Sequence, residues 1–148
     1  MIELAKRYFQ LPIGKKLNLI NDDAIAFLAA GDHKKVDVIF ADIYTAKGVE
    51  TGQLSPVFLE QCTNLIKPNG YLVLNCWKEH SQNRELLADL QQHFTHVNAC
   101  LTGGGNWVIF ASQSPQLLGT SALKSQAQSL SQQLGFALER SLTRFGPW

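Results

Sequence analysis

The chain is short of the features that assign a protein to a specialised class. Its 148 residues carry 13 basic and 12 acidic side chains, a formal charge of +1. With no surplus of either sign, neither nucleic acid nor an anionic membrane is an expected partner. Cysteine is scarce: Cys62, Cys76 and Cys100 are an odd count, far apart and set among apolar neighbours. They read as reduced core thiols, not as disulfides or metal ligands. No apolar run approaches the roughly 20 residues of a membrane span. The opening IELAKRYF is charged and amphipathic, unlike a secretion signal. His33, His80, His93 and His96 show no ligand spacing, so no metal site is expected. Internal repeats are absent. A cytoplasmic protein is expected, long enough to bury roughly two thirds of its unfolded surface in one core.

What remains is a succession of short elements that alternate in type. Ile2, Leu4, Ala5, Tyr8 and Phe9 follow helical spacing, and LPIG at 11–14 stops them. KLNLIN reads as a short strand, DAIAFLAA as a helix closed by Gly31, and VDVIFAD as a buried strand. Ser55 and Pro56 open the helix VFLEQCTNLI. KPNG at 67–70 reads as a turn before the strand YLVLNCW, and SQNRELLADLQQHF as a capped helix. HVNACL and WVIFASQ flank the sharp turn GGGN and therefore pair antiparallel. From Leu123 to Phe145 apolar residues recur every three to four positions, which predicts a long amphipathic C-terminal helix with Gly135 inside it. Strands alternating with helices predict an α/β fold, a mostly parallel sheet covered on both faces.

The segment VDVIFADIYTAKGVETG, residues 36–52, is where chemistry is expected. Its apolar run ends on Asp42, and in a parallel α/β sheet ligands sit outside the carboxyl ends of the strands. The structural alternative is that Asp42 caps the N–H groups of the following loop. Tyr44 and Lys47 either cover a ligand or are ordinary exposed loop residues. Asp22 or Asp23 is placed to cap the helix after it. Trp77 and Trp107, at strand ends, read as packing residues.

The order IELAKRYF, NDDAIAFL, VDVIFADIYTAKG, LSPVFLEQCTNLIKPNGYLVLNCW and GGGNWVIFAS, over about residues 1–113, resembles the later two thirds of spermidine synthase-like proteins. That family has the Rossmann-like fold of class I S-adenosylmethionine-dependent methyltransferases. The resemblance implies a truncated sheet of about five strands with an antiparallel last hairpin and helices on both faces. Residues 114–148 would be a helical extension outside the matching domain. It implies Asp42 as the base that accepts an amine's proton, and Asp23, with Ala24 beside it, as the residues meeting the adenine of S-adenosylmethionine or its decarboxylated form. Thr45 stands where polyamine-handling members carry a second, amine-binding acid, and Leu101 where they carry a tyrosine. Neither Thr45 nor Leu101 can pair with a cationic amine as those family residues do.

The family's glycine loop and ribose-binding acid precede the segment equivalent to IELAKRYF and have no counterpart here. Gly103–Gly105 lies between two strands and cannot replace a loop that needs a helix after it. Weak or no independent catalysis is therefore expected. Two functional readings stay open: a transferase whose missing strands come from another chain or an upstream segment, and a non-catalytic interaction module. Either KLNLIN lies directly beside VDVIFAD in a five-stranded sheet or a partner's strands stand between them, and a homodimer or complementing chain is expected.

Overall fold

The computed structural model describes residues 2–12, 14–114 and 119–148. They form two compact units, Met1–Gly31 and Asp32–Trp148. Ile13 of the LPIG stop, and residues 115–118 at the start of the C-terminal extension, lie outside the described residues.

In the first unit, helix α1 (Ile2–Tyr8) carries an exposed Lys6–Glu3 ion pair one turn apart. Helix α2 (Ala24–Ala29) starts where the sequence predicts, because Asp23 Oδ1 accepts the N–H groups of Ile25 and Ala26 at 3.0 and 2.9 Å. Between them KLNLIN forms no strand and joins neither sheet, which corrects the expected pairing with VDVIFAD. Leu17, Leu19 and Ile20 are exposed there. A strand is stabilised by its ladder and buried face, not by local propensity alone, and this segment has neither.

The second unit is built on a five-stranded sheet in the order β1 (Val36–Ala41), β4 (Ile66–Trp77), β6 (Asn106–Ser112), β5 (His96–Leu101), β7 (Phe145–Pro147). A two-stranded hairpin, β2 (Tyr44–Thr45) and β3 (Gly48–Val49), stands beyond the end of β1. β1 runs parallel to β4, and the remaining three pairs are antiparallel. The sheet is thus mixed, with a smaller parallel share than alternation alone suggests. KLNLIN contributes nothing to it, and the fifth strand is the C-terminal Phe145–Pro147.

One face of the sheet carries Leu72, Leu74, Cys76, Ile109 and Ala111, all buried. Helices α3 (Pro56–Leu65) and α4 (Arg84–His93) pack on each other and on β4 and β5. They bring Phe58, Leu59, Cys62, Leu86, Leu87 and Leu90 into the same core. Each such large side chain contributes about 1.5–3 kcal/mol. Ser55 and Asn83 cap these helices by accepting the N–H groups of Phe58 and Leu86.

KPNG is not a turn preceding a strand. It is an irregular stretch of β4: Val36 faces Ile66 while Val38 already faces Tyr71, so four residues bulge out opposite Asp37. Gly70 is required there, because a Cβ would lie 2.5 Å from the Asp37 carbonyl oxygen.

The C-terminal helical run also ends early. α5 (Thr120–Leu134) stops at Gly135, which takes the left-handed conformation (φ 76°) and donates its N–H to Ser131 O. A short α6 (Glu139–Leu142) follows, and the chain then enters the sheet as β7 against β5. Two neighbouring cavities of about 430 and 400 Å³, sharing Leu123, Leu142 and Phe145, lie between this helical layer and the second face of the sheet. At the other end of that face Phe40 is 77 % and Val38 39 % exposed, on a strand whose outer edge has no sheet partner among the described residues.

Candidate functional site

The end of β1 is where backbone order and polar side chains converge. Asp42 follows the strand directly. Its Oδ1 accepts from the side-chain amide of Asn75 at 2.8 Å, and Asn75 Oδ1 accepts from Asn106 Nδ2 at 2.9 Å. Asn106 is tied in turn to the β5–β6 turn, where its backbone N–H donates to Thr102 Oγ1 at 3.0 Å. Three carboxyl-end or hairpin positions, on β1, β4 and β6, are thereby linked into one polar row. This row fixes one carboxylate oxygen of an otherwise exposed acid.

The loop does not use Asp42 as a cap. Three of its N–H groups are taken elsewhere: Ile43 donates to Gln53 Oε1 at 3.3 Å, Lys47 to Thr45 Oγ1 at 3.1 Å, and Glu50 to Ile43 O at 2.9 Å. Gln53, fully buried, also donates to Ile43 O at 2.6 Å. It holds both backbone groups of Ile43, the residue after Asp42, so the acid is aimed by a clamp ten residues downstream of Ile43.

The β2–β3 hairpin closes over the same place. Tyr44 donates its hydroxyl to Asn75 O at 3.1 Å and packs beside Trp77, with ring centroids 6.1 Å apart and planes 37° apart. Gly48, at φ 124°, lies so close to the Trp77 ring that a Cβ would meet it at 2.8 Å. Burial, then Cys76 and Asp42 nearby, raise the Tyr44 phenol above its ordinary pKa of 10.0, which keeps it protonated as a donor at neutral pH. Thr45 is turned into its own hairpin: its Oγ1 donates to Gly48 O at 3.2 Å while accepting from Lys47. Lys47 sits at the exposed hairpin tip.

Of the residues singled out in the sequence, Asp42, Tyr44, Thr45 and Lys47 are thus brought together in the second unit. Asp23 and Ala24 belong to the first unit, as the N-cap and first residue of α2. The sequence did not single out Asn75, Asn106 or Gln53, and it favoured packing over stacking for Trp77. Asn75 carries a visible signal, an amide inside the apolar strand YLVLNCW, whereas nothing around Gln53 announces a buried clamp. Leu101 lies opposite Trp107 at the end of β5. Among the described residues no group of three His, Cys, Asp or Glu side chains is placed to hold a metal ion. No helix among them is long and apolar enough to cross a membrane.

The architecture is that of the methyltransferase-type α/β fold. It is similar to human methyltransferase-like protein 13, solved in complex with SAH, with a TM-score of 0.75 and 21 % identity over 99 % of this chain and 68 % of that one. It is also similar to a probable spermidine synthase from Corynebacterium glutamicum, with a TM-score of 0.71 and 21 % identity. That match covers 88 % of this chain and 50 % of the synthase, so this chain spans half the length of the latter. No protein-family model matches, and no curated protein matches. At this identity the likeness establishes the fold that the sequence resemblance implies: a spermidine synthase-like, methyltransferase-type fold.

Proposed function

We propose that this chain supplies the acceptor side of a group-transfer site of the spermidine synthase or methyltransferase type, with Asp42 holding an amine and taking its proton. One observation carries this reading: the Asp42 carboxylate is held by the Asn75 side chain and not by the loop N–H groups that a structural cap would serve. A carboxylate fixed at one oxygen leaves the other to accept a proton from an amine as that amine becomes a nucleophile, a contribution of typically about 10²–10⁴ in rate.

The nucleoside side fits less well. Oδ1 of Asp23 is engaged by two helix N–H groups, and Gly103–Gly105 is a strand-to-strand turn whose Gly105 N–H returns to Thr102 O. We therefore assign S-adenosylmethionine, or its decarboxylated form, as a ligand that the second unit meets at the Asp42 end of β1 and holds weakly, and we derive no chemical step through it. The unpaired edge of β1 and the exposed Val38 and Phe40 favour a complementing chain or a second copy as the element that completes the sheet. The buried free thiols suit a reducing compartment such as the cytoplasm.

Backbone NMR titration with S-adenosylhomocysteine at millimolar concentrations tests the reading. We expect shifts within the second unit to be confined to Asp42–Lys47 and Asn75–Trp77. Shifts clustered elsewhere, or none, would leave the non-catalytic interaction module as the better account.

A further inference from the structure

The rim around Asp42 is asymmetric in charge and in shape. Asp42 offers a carboxylate, but the hairpin above it carries no second acid: its sole charged residue is Lys47, and the Thr45 hydroxyl is consumed by Gly48 O and the Lys47 N–H. Glu50, just after the hairpin, spends its Oε1 on the Gly52 N–H. A dication bound at Asp42 whose second charge reached the hairpin would meet Lys47, while Glu50 keeps its negative charge outside the hairpin.

Beside the carboxylate stands an aromatic wall. Trp77 is two residues beyond Asn75 on the same face of β4, about 7 Å along the strand. Gly48 and Tyr44 brace its ring, and the residue as a whole remains 45 % exposed. An indole face next to a carboxylate suits a cation attached to a flat or apolar body, because the ring quadrupole attracts the charge while the body covers apolar surface.

We propose that the acceptor taken at Asp42 is an amine with a single cationic group on an aromatic or apolar body, its ammonium on Asp42 and its body against Trp77 and Tyr44. This rests on the acceptor role proposed for Asp42 and narrows it to a substrate class. The linear diamines that two acids would hold are disfavoured by Lys47 and by the turned-in Thr45.

The test follows the indole N–H resonance of Trp77, assigned by its loss in Trp77→Phe, during titration of the full chain near neutral pH. The probes are benzylamine, benzyl alcohol as its uncharged counterpart, and 1,4-diaminobutane. Benzylamine should shift the Trp77 signal saturably. Benzyl alcohol with the wild-type chain, and benzylamine with Asp42→Asn, should each bind at least about tenfold more weakly. 1,4-Diaminobutane should also bind at least about tenfold more weakly than benzylamine. If 1,4-diaminobutane binds as tightly as benzylamine and Asp42→Asn weakens both, the substrate class is wrong while the acceptor role of Asp42 stands. If Asp42→Asn leaves benzylamine binding unchanged, both are wrong.

Discussion

Asn75 donates its side-chain amide to Asp42 at 2.8 Å while its own side-chain carbonyl accepts from Asn106 at 2.9 Å. The acid at the end of β1 is thus oriented from β4 and β6, strands on which the sequence places no chemistry. Asp42→Asn keeps the size and shape of the side chain and removes the base. We expect it to retain the wild-type thermal midpoint and to lower any transfer activity, alone or complemented, by about 10²–10⁴-fold. Turnover equal to wild type in a direct transfer assay would assign Asp42 a structural role.

Gln53 is expected to matter for stability. Its amide bonds both the N–H and the C=O of Ile43; the C=O also accepts from the Glu50 N–H, so loss of Gln53 leaves the part-buried Ile43 N–H unpaired, at a cost of roughly 1–3 kcal/mol. Gln53→Ala should lower the urea midpoint with little change in slope, and the Asp42–Tyr44 backbone amides should lose hydrogen-exchange protection. An unchanged midpoint would mean that water replaces the clamp without loss.

These two positions show what was legible in the sequence. Asp42, Tyr44, Thr45 and Lys47 stand out in the sequence because an apolar run that ends on an acid and a glycine loop is a local pattern; the structure places them just after β1 and on the β2–β3 hairpin. Gln53, Asn106 and the role of Trp77 depend on contacts between segments far apart in sequence, which no local pattern encodes. The same holds for the sheet edges. KLNLIN has strand-like alternation but no neighbour to pair with, whereas Phe-Gly-Pro at 145–147 lacks strand composition and pairs because α5 and α6 return the chain to β5. Gly135 was visible, yet periodicity on both sides of it disguised a helix stop as a helix interior.

The buried thiols give a pH dependence. Burial pushes Cys62 and Cys76 from an ordinary value of 9.0 to about 12. Between those values the unfolded chain has released protons that the folded chain still holds, so fewer protons are bound in the unfolded state and stability falls as pH rises. Stability from this source is complete below pH 9.0 and is lost toward about pH 12. Urea midpoints measured on a pH series under reducing conditions should decline across that window, and the decline should be shallower in Cys62→Ala than in wild type. A flat profile would show that the thiols ionise alike in both states.

The unpaired edge of β1 predicts association. With Phe40 77 % exposed on a strand that has no second sheet partner among the described residues, light scattering on the purified chain should show a concentration-dependent dimer, and Phe40→Lys should shift it toward monomer. A strictly monomeric wild-type chain at high concentration would argue that the edge is completed by something other than a second copy.

Calorimetric titration of the 148-residue chain with methylthioadenosine, S-adenosylhomocysteine and S-adenosylmethionine tests the central claim most directly, namely that this chain carries the acceptor side of the site and only part of the nucleoside side. We predict dissociation constants no tighter than about 1 mM, a total binding free energy of about 4 kcal/mol. A micromolar constant for any of the three would contradict the account and show that the chain alone builds a complete nucleoside site.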